Sequence, residues 1–241
     1  MVAKLDTAVI LAGGLGTRLR SVVADRPKPM ALVARRPFLE HLMQYWHKQG
    51  IQRFVLSVGY RNESIREHFG DSYAGCKLEY VVETEPLGTG GGLLMCQRTL
   101  NLTDPFLLLN GDTYFAVDLS NLAHQAQKHD ADWVFSLFPT SETQRYLAVQ
   151  LTDSGKLEFR VEGNSVLRSG MRWANGGVYW IHPRALLPFQ DLPTPLSLEV
   201  DMFPLAEQLG QVFCGLPSEA TFIDIGVPDD YQRAQTMPCF L

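Results

Sequence analysis

Short apolar runs alternate with amphipathic helical patterns through the first half of this chain, and this alternation restricts the fold more than any other feature. The strand-like runs cover 8–11, 54–58, 78–82 and 106–109. Helical patterns lie between them at 38–50, around Ile65 and Phe69, and at 90–100. Because β-α-β units wind into a sheet with helices on both faces, we predict an α/β fold with a mixed, mostly parallel central sheet.

From about residue 133 the apolar runs are separated by turn residues rather than by long helices. They cover 133–138, 146–151, 157–161 and 177–181, with a further strand expected at 221–225 and helices at 200–209 and after Pro228. A β-rich lobe is therefore expected after the α/β half. No linker rich in Gly, Ser or Pro divides the halves, so we predict a single domain over 1–241, with halves of about 1–135 and about 136–241.

The composition is that of a globular protein without a basic surface. Of the 241 residues 46% are hydrophobic, and the formal net charge is -5. This charge argues against an extended nucleic-acid or anionic-membrane surface, which needs a net basic face. The four cysteines show no CxxC pair and no zinc spacing with histidine, which favours free thiols in a cytosol. Since the first apolar run is too short for a signal-peptide core or a membrane span, we expect a cytoplasmic protein.

A glycine-rich turn directly follows the first predicted strand. From Leu11 to Leu19 the sequence is LAGGLGTRL. Glycines let successive backbone N–H groups approach one anion without obstruction from Cβ atoms, so the turn suits a phosphate. It lacks the GK[ST] end of a Walker A loop, and Leu19 stands where a dinucleotide fingerprint has its third glycine, which disfavours a Rossmann-type dehydrogenase. For this segment taken alone, a strand-turn with spare glycines is the alternative.

A lysine held between two prolines follows this turn. Pro27 and Pro29 restrict the backbone on either side of Lys28. Attack at the α-phosphate of a nucleoside triphosphate moves charge onto the leaving pyrophosphate, and a fixed cation stabilises that charge. Lys28 is therefore a candidate catalytic residue, with a solvated loop charge as the alternative when it is considered alone.

Two aspartates that are distant in sequence each follow a predicted strand. Asp112 comes after the run 106–109, and Asp224 comes after the apolar residues of 221–223. Ligands of open α/β sheets collect at the carboxyl ends of strands. A pair of carboxylates there suits one Mg²⁺, which takes oxygen ligands and bridges phosphates. Single aspartates in such places also start turns or cap helices.

Several ordered motifs together make the chain resemble the sugar-1-phosphate nucleotidyltransferases. They lie at 13–19 with 27–29, 85–91, 109–113, 175–179 with 197–201, and 224–231. The likeness extends from about residue 7 to residue 234. It implies a Rossmann-like three-layer nucleotidyltransferase fold with a β-rich sugar-binding lobe. It also implies Mg²⁺ as cofactor and a nucleoside triphosphate and a sugar 1-phosphate as substrates, while association into a homo-oligomer is left open.

The same resemblance assigns roles to individual residues. The catalytic residues that it implies are Arg18, Lys28 and Asp112, and the metal ligands are Asp112 and Asp224. The residues that it places around the nucleotide are Leu11, Ala12, Gly13, Gly14, Gly16, Thr17, Arg18, Glu85, Pro86, Gly88, Thr89 and Gly111. The residues that it places around the sugar phosphate are Asn175, Gly177, Glu162 and Glu199.

Two sugar-side segments depart from the family pattern. Leu147 follows Arg145-Tyr146 where a glycine is common, and 159–162 reads Phe-Arg-Val-Glu where Phe-x-Glu-Lys is usual. The customary lysine near the sugar phosphate is therefore absent. Arg160 and Arg172 are candidates for supplying its charge.

The runs 15–23, 27–31 and 36–40 are most similar to the D-glycero-D-manno-heptose 1-phosphate guanylyltransferases. This similarity implies GTP as donor and a GDP-heptose product for surface polysaccharide biosynthesis. The alternatives are a mannose-1-phosphate guanylyltransferase and a uridylyltransferase acting on glucose or N-acetylmuramate 1-phosphate. A nucleotide-sugar-sensing regulatory subunit is the non-enzymatic alternative. A sensor that has lost the reaction would be expected to lack Arg18, Lys28 or one of the two aspartates, and this chain has all of them.

Overall fold

The computed structural model describes residues 5–14, 19, 23, 26–59, 61–141, 145–146, 148–152, 154–158 and 172–241. Its strands are β1 (Thr7–Leu11), β2 (Leu32–Val33), β3 (Arg36–Pro37), β4 (Arg53–Val58), β5 (Ser72–Tyr73), β6 (Cys76–Val82), β7 (Phe106–Asn110), β8 (Thr113–Phe115), β9 (Trp133–Thr140), β10 (Ala148–Leu151), β11 (Leu157–Glu158), β12 (Arg172–Ile181), β13 (Phe213–Pro217) and β14 (Phe222–Asp224). Its α-helices are α1 (Phe38–Lys48), α2 (Asn62–Phe69), α3 (Gly88–Leu100), α4 (Leu119–His129), α5 (Phe203–Gln208) and α6 (Pro228–Ala234). Short 3-10 helices occupy Lys28–Met30 and Pro183–Phe189, and a π-helix occupies Leu198–Met202.

A mixed sheet forms the centre of the molecule. Strands β7, β1, β4 and β6 lie side by side and pair in parallel, and β5 pairs antiparallel at one edge. On the other side β12 pairs antiparallel with β7, and β9, β13, β10 and β11 extend the sheet around β12. This arrangement confirms the predicted fold class, with the parallel strands in the first half and the antiparallel additions in the second.

Both faces of the parallel strands are buried, which explains their apolar runs. In β1, Ala8 and Ile10 pack in the core on one face while Val9 packs in the core on the other, and all are fully buried. Trp46 of α1 belongs to the first core, and Leu93 of α3 belongs to the second. The sheet therefore forms the middle of three layers, as the sequence predicts.

A third, smaller core is separate from the two cores that cover the faces of the sheet. It contains buried residues that are near Lys28, Asp112 and Asp224 in sequence. Its members are Leu19, Val23, Ala31, Val33, Phe38, Tyr114, Ile223, Ile225, Ala234 and Phe240. We refer to this set as the third core.

Several elements differ from the sequence prediction. Helix α4 was indicated only by a helical stretch at His124 and His129, so its start was missed, although its N-cap Asp118 accepts hydrogen bonds from the backbone N–H groups of Ser120 and Asn121. The edge strand β13 was also missed. The run predicted at 177–181 is the end of the longer β12, and the helix predicted at 200–209 is a π-helix followed by α5. Of the strand predicted at 157–161, residues 159–161 lie outside the described residues.

The cysteines and helices add two further facts. All four cysteines are free, and burial raises the pKa of the Cys96 thiol to about 12. Within the described ranges, no helix has both the length and the apolar character that a membrane span requires.

Candidate active site

The glycine-rich turn and the segment before Asp112 meet at the carboxyl ends of β1 and β7. Leu11 pairs with Asn110, and the Gly111 N–H donates to the Leu11 carbonyl at 3.0 Å. A Cβ on Gly111 would lie 2.6 Å from that carbonyl oxygen, so only glycine fits without a shift of the backbone. The structure thus brings Leu11 and Ala12, which are followed by Gly13 and Gly14, next to Gly111, and the binding of a nucleotide by these residues stays a prediction. Gly16, Thr17 and Arg18 lie outside the described residues.

The side chain of Glu83 lies against Gly13 of this turn, a contact that the sequence did not reveal. Its Oε1 accepts a hydrogen bond from Ser57 Oγ at 2.7 Å, and its Oε2 accepts one from the Leu87 N–H at 3.3 Å. A Cβ on Gly13 would lie 2.7 Å from Glu83 Oε1. Glu83 therefore joins the glycine-rich turn to the 85–91 segment. Its signal in the sequence is a carboxylate directly after the last residue of β6.

The 85–91 segment forms an exposed loop and the first turn of α3. Glu85 and Pro86 are exposed, and Gly88 has a φ of +77°, which favours glycine. Other polar groups of this loop bond within the protein: Thr89 Oγ1 accepts from the Leu198 N–H at 2.9 Å, and the Leu196 carbonyl accepts from the N–H groups of residues 90 and 91. Contact of this loop with a nucleotide stays a prediction.

The two aspartates meet through a separate two-stranded ribbon. Strand β8 pairs antiparallel with β14, which places Thr113 opposite Asp224. The Ile225 N–H donates to the Asp112 carbonyl at 3.0 Å. Asp224 lies at a strand end, as the sequence indicates, but its strand β14 belongs to this ribbon and not to the central sheet. Asp224 reaches the site because the ribbon folds back over the end of β7.

Lys28 lies between these carboxylates. Its Nζ forms an ion pair with Asp112 Oδ2 and lies 3.9 Å from Asp224 Oδ1. Only 11% of its side chain is exposed, so the alternative of a solvated loop charge does not hold. Burial and, secondly, repulsion from Asp112 raise the pKa of Asp224 above its usual range, and Lys28 opposes this shift.

A cavity of about 170 Å³ opens beside the aspartates. Residues from distant segments line it, and they include the predicted Asp112, Asp224, Asn175, Gly177 and Glu199. The structure therefore brings the predicted metal ligands and most of the predicted sugar-side residues to one place. Glu162 lies outside the described residues, as do Arg160 and Leu147, and the side chain of Arg172 is not described.

Asn175 is held rigidly at this cavity. It lies within β12 rather than in a turn, at a bulge in the pairing with β9. Its Nδ2 donates to Tyr179 Oη at 2.6 Å, and its Oδ1 accepts from the Gly177 N–H at 3.1 Å. Gly177 has a φ of +69°, and a Cβ there would lie 2.7 Å from Asn110 Nδ2. These contacts fix the Asn175 amide at the cavity wall, and its bond to a sugar stays a prediction.

Glu199 reaches the cavity from the π-helix Leu198–Met202. Ser197 caps this helix, with its Oγ accepting from the Val200 N–H at 3.2 Å. The residue is exposed at the cavity rim, yet its carboxyl group is desolvated there. Desolvation, followed by repulsion from Asp112, raises the pKa of Glu199. Local π-helices of this kind often occur at functional sites.

Other cavity residues were not predicted as site residues. They include Arg145, Tyr146, Asn110, Thr113 and Phe222. The sequence showed Arg145 and Tyr146 only as part of a departure from the family pattern. Nothing in their spacing indicates that they lie beside Asp224.

Comparison with known proteins accounts for this arrangement. The family model described as nucleotidyl transferase matches residues 7–237. The chain belongs to this family. A D-glycero-alpha-D-manno-heptose 1-phosphate guanylyltransferase from Aneurinibacillus thermoaerophilus is 42% identical over 228 residues, which cover 95% of this chain and 96% of that protein. A protein of the same description from Campylobacter jejuni is 37% identical, with 93% of this chain and 96% of that protein covered.

Solved structures agree with the family assignment. HddC from Yersinia pseudotuberculosis, complexed with GMP-PN, superposes with a TM-score of 0.80 at 34% identity, with 96% of this chain and 98% of that chain covered. A putative glucose-1-phosphate thymidylyltransferase from Bacillus anthracis superposes with a TM-score of 0.82, covering 98% of this chain and 96% of that one. At 18% identity the latter shows a shared fold alone. This nucleotidyltransferase therefore has the fold and the family that its motifs predicted.

Proposed function

We propose that this nucleotidyltransferase transfers a guanylyl group from GTP to D-glycero-D-manno-heptose 1-phosphate, with release of pyrophosphate. The observation that carries the proposal is the 42% identity over 95% of the chain to a guanylyltransferase for that sugar phosphate. The product is a GDP-heptose for surface polysaccharide biosynthesis.

The reaction is a displacement at the α-phosphorus of GTP. An oxygen of the sugar 1-phosphate forms a bond to this phosphorus, the α–β phosphoanhydride bond breaks, and pyrophosphate leaves with its electron pair. Backbone N–H groups at Gly13 and Gly14, with Arg18, bind the triphosphate, and Lys28 stabilises the negative charge on the reacting phosphates. Catalysis then comes from positioning and from fixed positive charge, and no covalent enzyme intermediate is needed.

The residues around Lys28 fit a divalent cation. Asp112 and Asp224 both approach the Lys28 ammonium group, so the pair already accommodates one positive charge. Burial and, secondly, the neighbouring Asp112 raise the pKa of Asp224, and a bound cation would oppose both effects. Two carboxylates suit Mg²⁺, an ion that is bound by one or two carboxylates together with phosphates and water. When bound, Mg²⁺ would neutralise charge on the phosphates.

The proposed division of labour follows the two halves of the chain. The half of about 1–135 binds the nucleotide through the glycine-rich turn, Gly111 and the loop with Glu85, Pro86, Gly88 and Thr89. The half of about 136–241 binds the sugar phosphate through Asn175, Gly177, Glu162 and Glu199. We place the enzyme in the cytoplasm, where nucleoside triphosphates are available and where three buried free cysteines stay reduced.

Pyrophosphate release tests this proposal. GTP, UTP, dTTP, CTP and ATP are each combined with heptose, mannose, glucose and N-acetylmuramate 1-phosphates in the presence of Mg²⁺. Release confined to GTP with the heptose phosphate is the expected result. Release with another pair would support the nucleotidyl transfer reaction but would show that the substrates are different from those proposed. Folded protein that is silent with every pair would favour the nucleotide-sugar sensor.

A further inference from the structure

We propose that Arg145 is a positioning residue that fixes the orientation of the Asp224 carboxylate toward the cation site. This inference deepens the proposed function and rests on it. Arg145 lines the same cavity as the two aspartates. Only 21% of its side chain is exposed, although it comes from a loop segment.

The guanidinium group of Arg145 binds two acidic residues at once. Its Nη2 donates to both Asp224 Oδ2 and the Asp224 backbone carbonyl, each at 3.2 Å. Its Nη1 forms an ion pair with Asp230 Oδ2. The planar fork of an arginine allows such simultaneous contacts, whereas a lysine ammonium group acts as a single point charge. Arg145 thus connects Asp224 at the end of β14 to Asp230 in the first turn of α6.

The two oxygens of Asp224 have separate partners. Oδ1 accepts from the Gly226 N–H at 2.7 Å and is the oxygen that lies 3.9 Å from Lys28 Nζ. Oδ2 faces Arg145. Rotation of the carboxylate would therefore break the contacts on both sides. Arg145 keeps Oδ1 directed at the space that Lys28 shares with Asp112, which is where a metal ion and the phosphates would bind.

Asp230 in turn holds Arg145. It lies in the first turn of α6, and its other oxygen, Oδ1, pairs with Arg233 at 2.9 Å. Its side chain is 14% exposed. The guanidinium carbon of Arg145 also lies 4.9 Å from the centroid of the Tyr146 ring. With a carboxylate on one side and an aromatic ring nearby, the guanidinium group has little freedom to leave Asp224.

The experiment must separate this role from direct binding of substrate. We compare Arg145→Ala, Arg145→Lys, Asp230→Asn and the double variant Arg145→Ala/Asp230→Asn. Arg184→Ala is the matched control, because Arg184 also bridges two aspartates, Asp132 at 2.6 Å and Asp130 at 2.9 Å, and also bonds the Asp130 carbonyl. Arg184 lies at the start of the 3-10 helix Pro183–Phe189, contacts the C-cap residue Asp130 of α4, and does not line the cavity.

The primary readout is Mn²⁺ binding, followed by the electron paramagnetic resonance signal of free Mn²⁺ with and without an unreactive GTP analogue. The kinetic readouts are kcat, the KM of each substrate and the Mg²⁺ concentration at half-maximal rate. Because groups that orient metal ligands typically contribute 10- to 100-fold, Arg145→Ala should weaken Mn²⁺ binding and lower kcat by about 10- to 100-fold. The KM of the sugar phosphate should stay close to the wild-type value. Arg145→Lys should recover part of the loss, and the double variant should be no worse than Arg145→Ala, since both changes break one network.

Several results would overturn the inference. Wild-type Mn²⁺ binding in Arg145→Ala would do so, as would a rise in the sugar-phosphate KM as the only effect, which would make Arg145 a substrate-binding residue. Equal losses in Arg184→Ala would reduce the effect to general stability. If wild-type protein released no pyrophosphate with any substrate pair, the proposed function would fail, while the Mn²⁺ comparison would still decide the role of Arg145.

Discussion

Gly111 contacts the start of the glycine-rich turn and directly precedes Asp112. Its replacement by alanine tests how far catalysis depends on the distance between the turn and the Asp112 carboxylate. A Cβ at position 111 would lie 2.6 Å from the Leu11 carbonyl oxygen, 3.3 Å from the Leu11 carbonyl carbon and 3.4 Å from the Ala12 Cα. These are backbone atoms in paired strands, so they cannot turn aside as a flexible side chain would. Restoring an ordinary contact of 3.4 Å requires the two segments to separate by about 0.8 Å.

This separation should affect rate more than folding. Overpacking of this kind costs about 1–3 kcal/mol of unfolding free energy, which a domain of this size tolerates. Asp112 is the next residue, so its carboxylate and the turn at Gly13 would move apart by a similar distance. A misplacement of about 1 Å in a reacting geometry costs about 100-fold in rate. We therefore expect Gly111→Ala to fold and to lose about 100-fold in kcat.

The assay is steady-state pyrophosphate release combined with thermal unfolding of the same preparations. Ile51→Ala is the control, because Ile51 is fully buried and lies just before the amino end of β4, whereas the site lies at the carboxyl ends of β1 and β7. That change should cost about 2–5 kcal/mol of stability and leave kcat nearly intact. Turnover of Gly111→Ala at the wild-type rate would refute the reasoning, and so would an equal loss of kcat in Ile51→Ala.

Three further predictions concern other parts of the molecule. Lys28→Ala should lower kcat by about 100-fold or more with folding intact, measured by pyrophosphate release and circular dichroism, and near-normal turnover would remove Lys28 from the mechanism. Burial lowers the pKa of His41 from its ordinary 6.5, so the unfolded state binds the proton first as pH falls. Urea unfolding should therefore show stability falling below about pH 6.5, and His41→Asn should reduce that fall; an unchanged pH dependence in this variant would contradict the assignment. Phe240→Ala should lower the free energy of unfolding by about 3 kcal/mol, because the Phe240 ring packs against three other rings. Leu241→Ala removes a side chain that is 84% exposed and should leave the free energy of unfolding unchanged. Equal urea unfolding curves for these two variants would show that the packing of Phe240 contributes nothing.

The parallel part of the fold was predictable because its strands are buried on both faces. Strands β1 and β7 are nearly continuous apolar runs, and helix α1 between the strands carries an apolar stripe, so local patterns suffice there. The long strand β12 was only partly predicted, because Gly176 and Gly177 interrupt its apolar pattern. In the structure the interruption is a bulge within one strand, and the ring of Phe115 occupies the space where a Cβ on Gly176 would lie. Helix α4 was indicated only by the helical stretch at His124 and His129, and its start was missed although the cap residue Asp118 is a local signal.

The sequence predicted the site residues that lie in recognisable motifs. It did not predict the residues that join the site only through tertiary contacts. Lys28 and the two aspartates each stand in a recognisable segment, and the structure brings them together. Asp230 lies in the 224–231 motif, but nothing in the sequence indicates that it contacts Arg145, which is 85 positions away. In the sequence Asp230 is an ordinary acidic residue in the first turn of a helix, and only the fold makes it a partner of Arg145. Glu83 is similar, because its contacts depend on how β6 ends beside β4 and near the turn that follows β1.

The third core explains why a cluster of like charges stays in place. Residues of a strand point alternately to opposite faces, so the burial of Ile223 and Ile225 directs Asp224 between them to the other side, toward Lys28. Ala31 belongs to the same core and follows the 3-10 helix that carries Lys28, and Tyr114 belongs to it two positions after Asp112. Burial and, secondly, repulsion from Asp112 raise the pKa of Asp224, so holding the two carboxylates together in this position costs free energy. Because apolar burial behind the ribbon opposes this repulsion, the carboxylates are already held together before a metal ion or a phosphate binds.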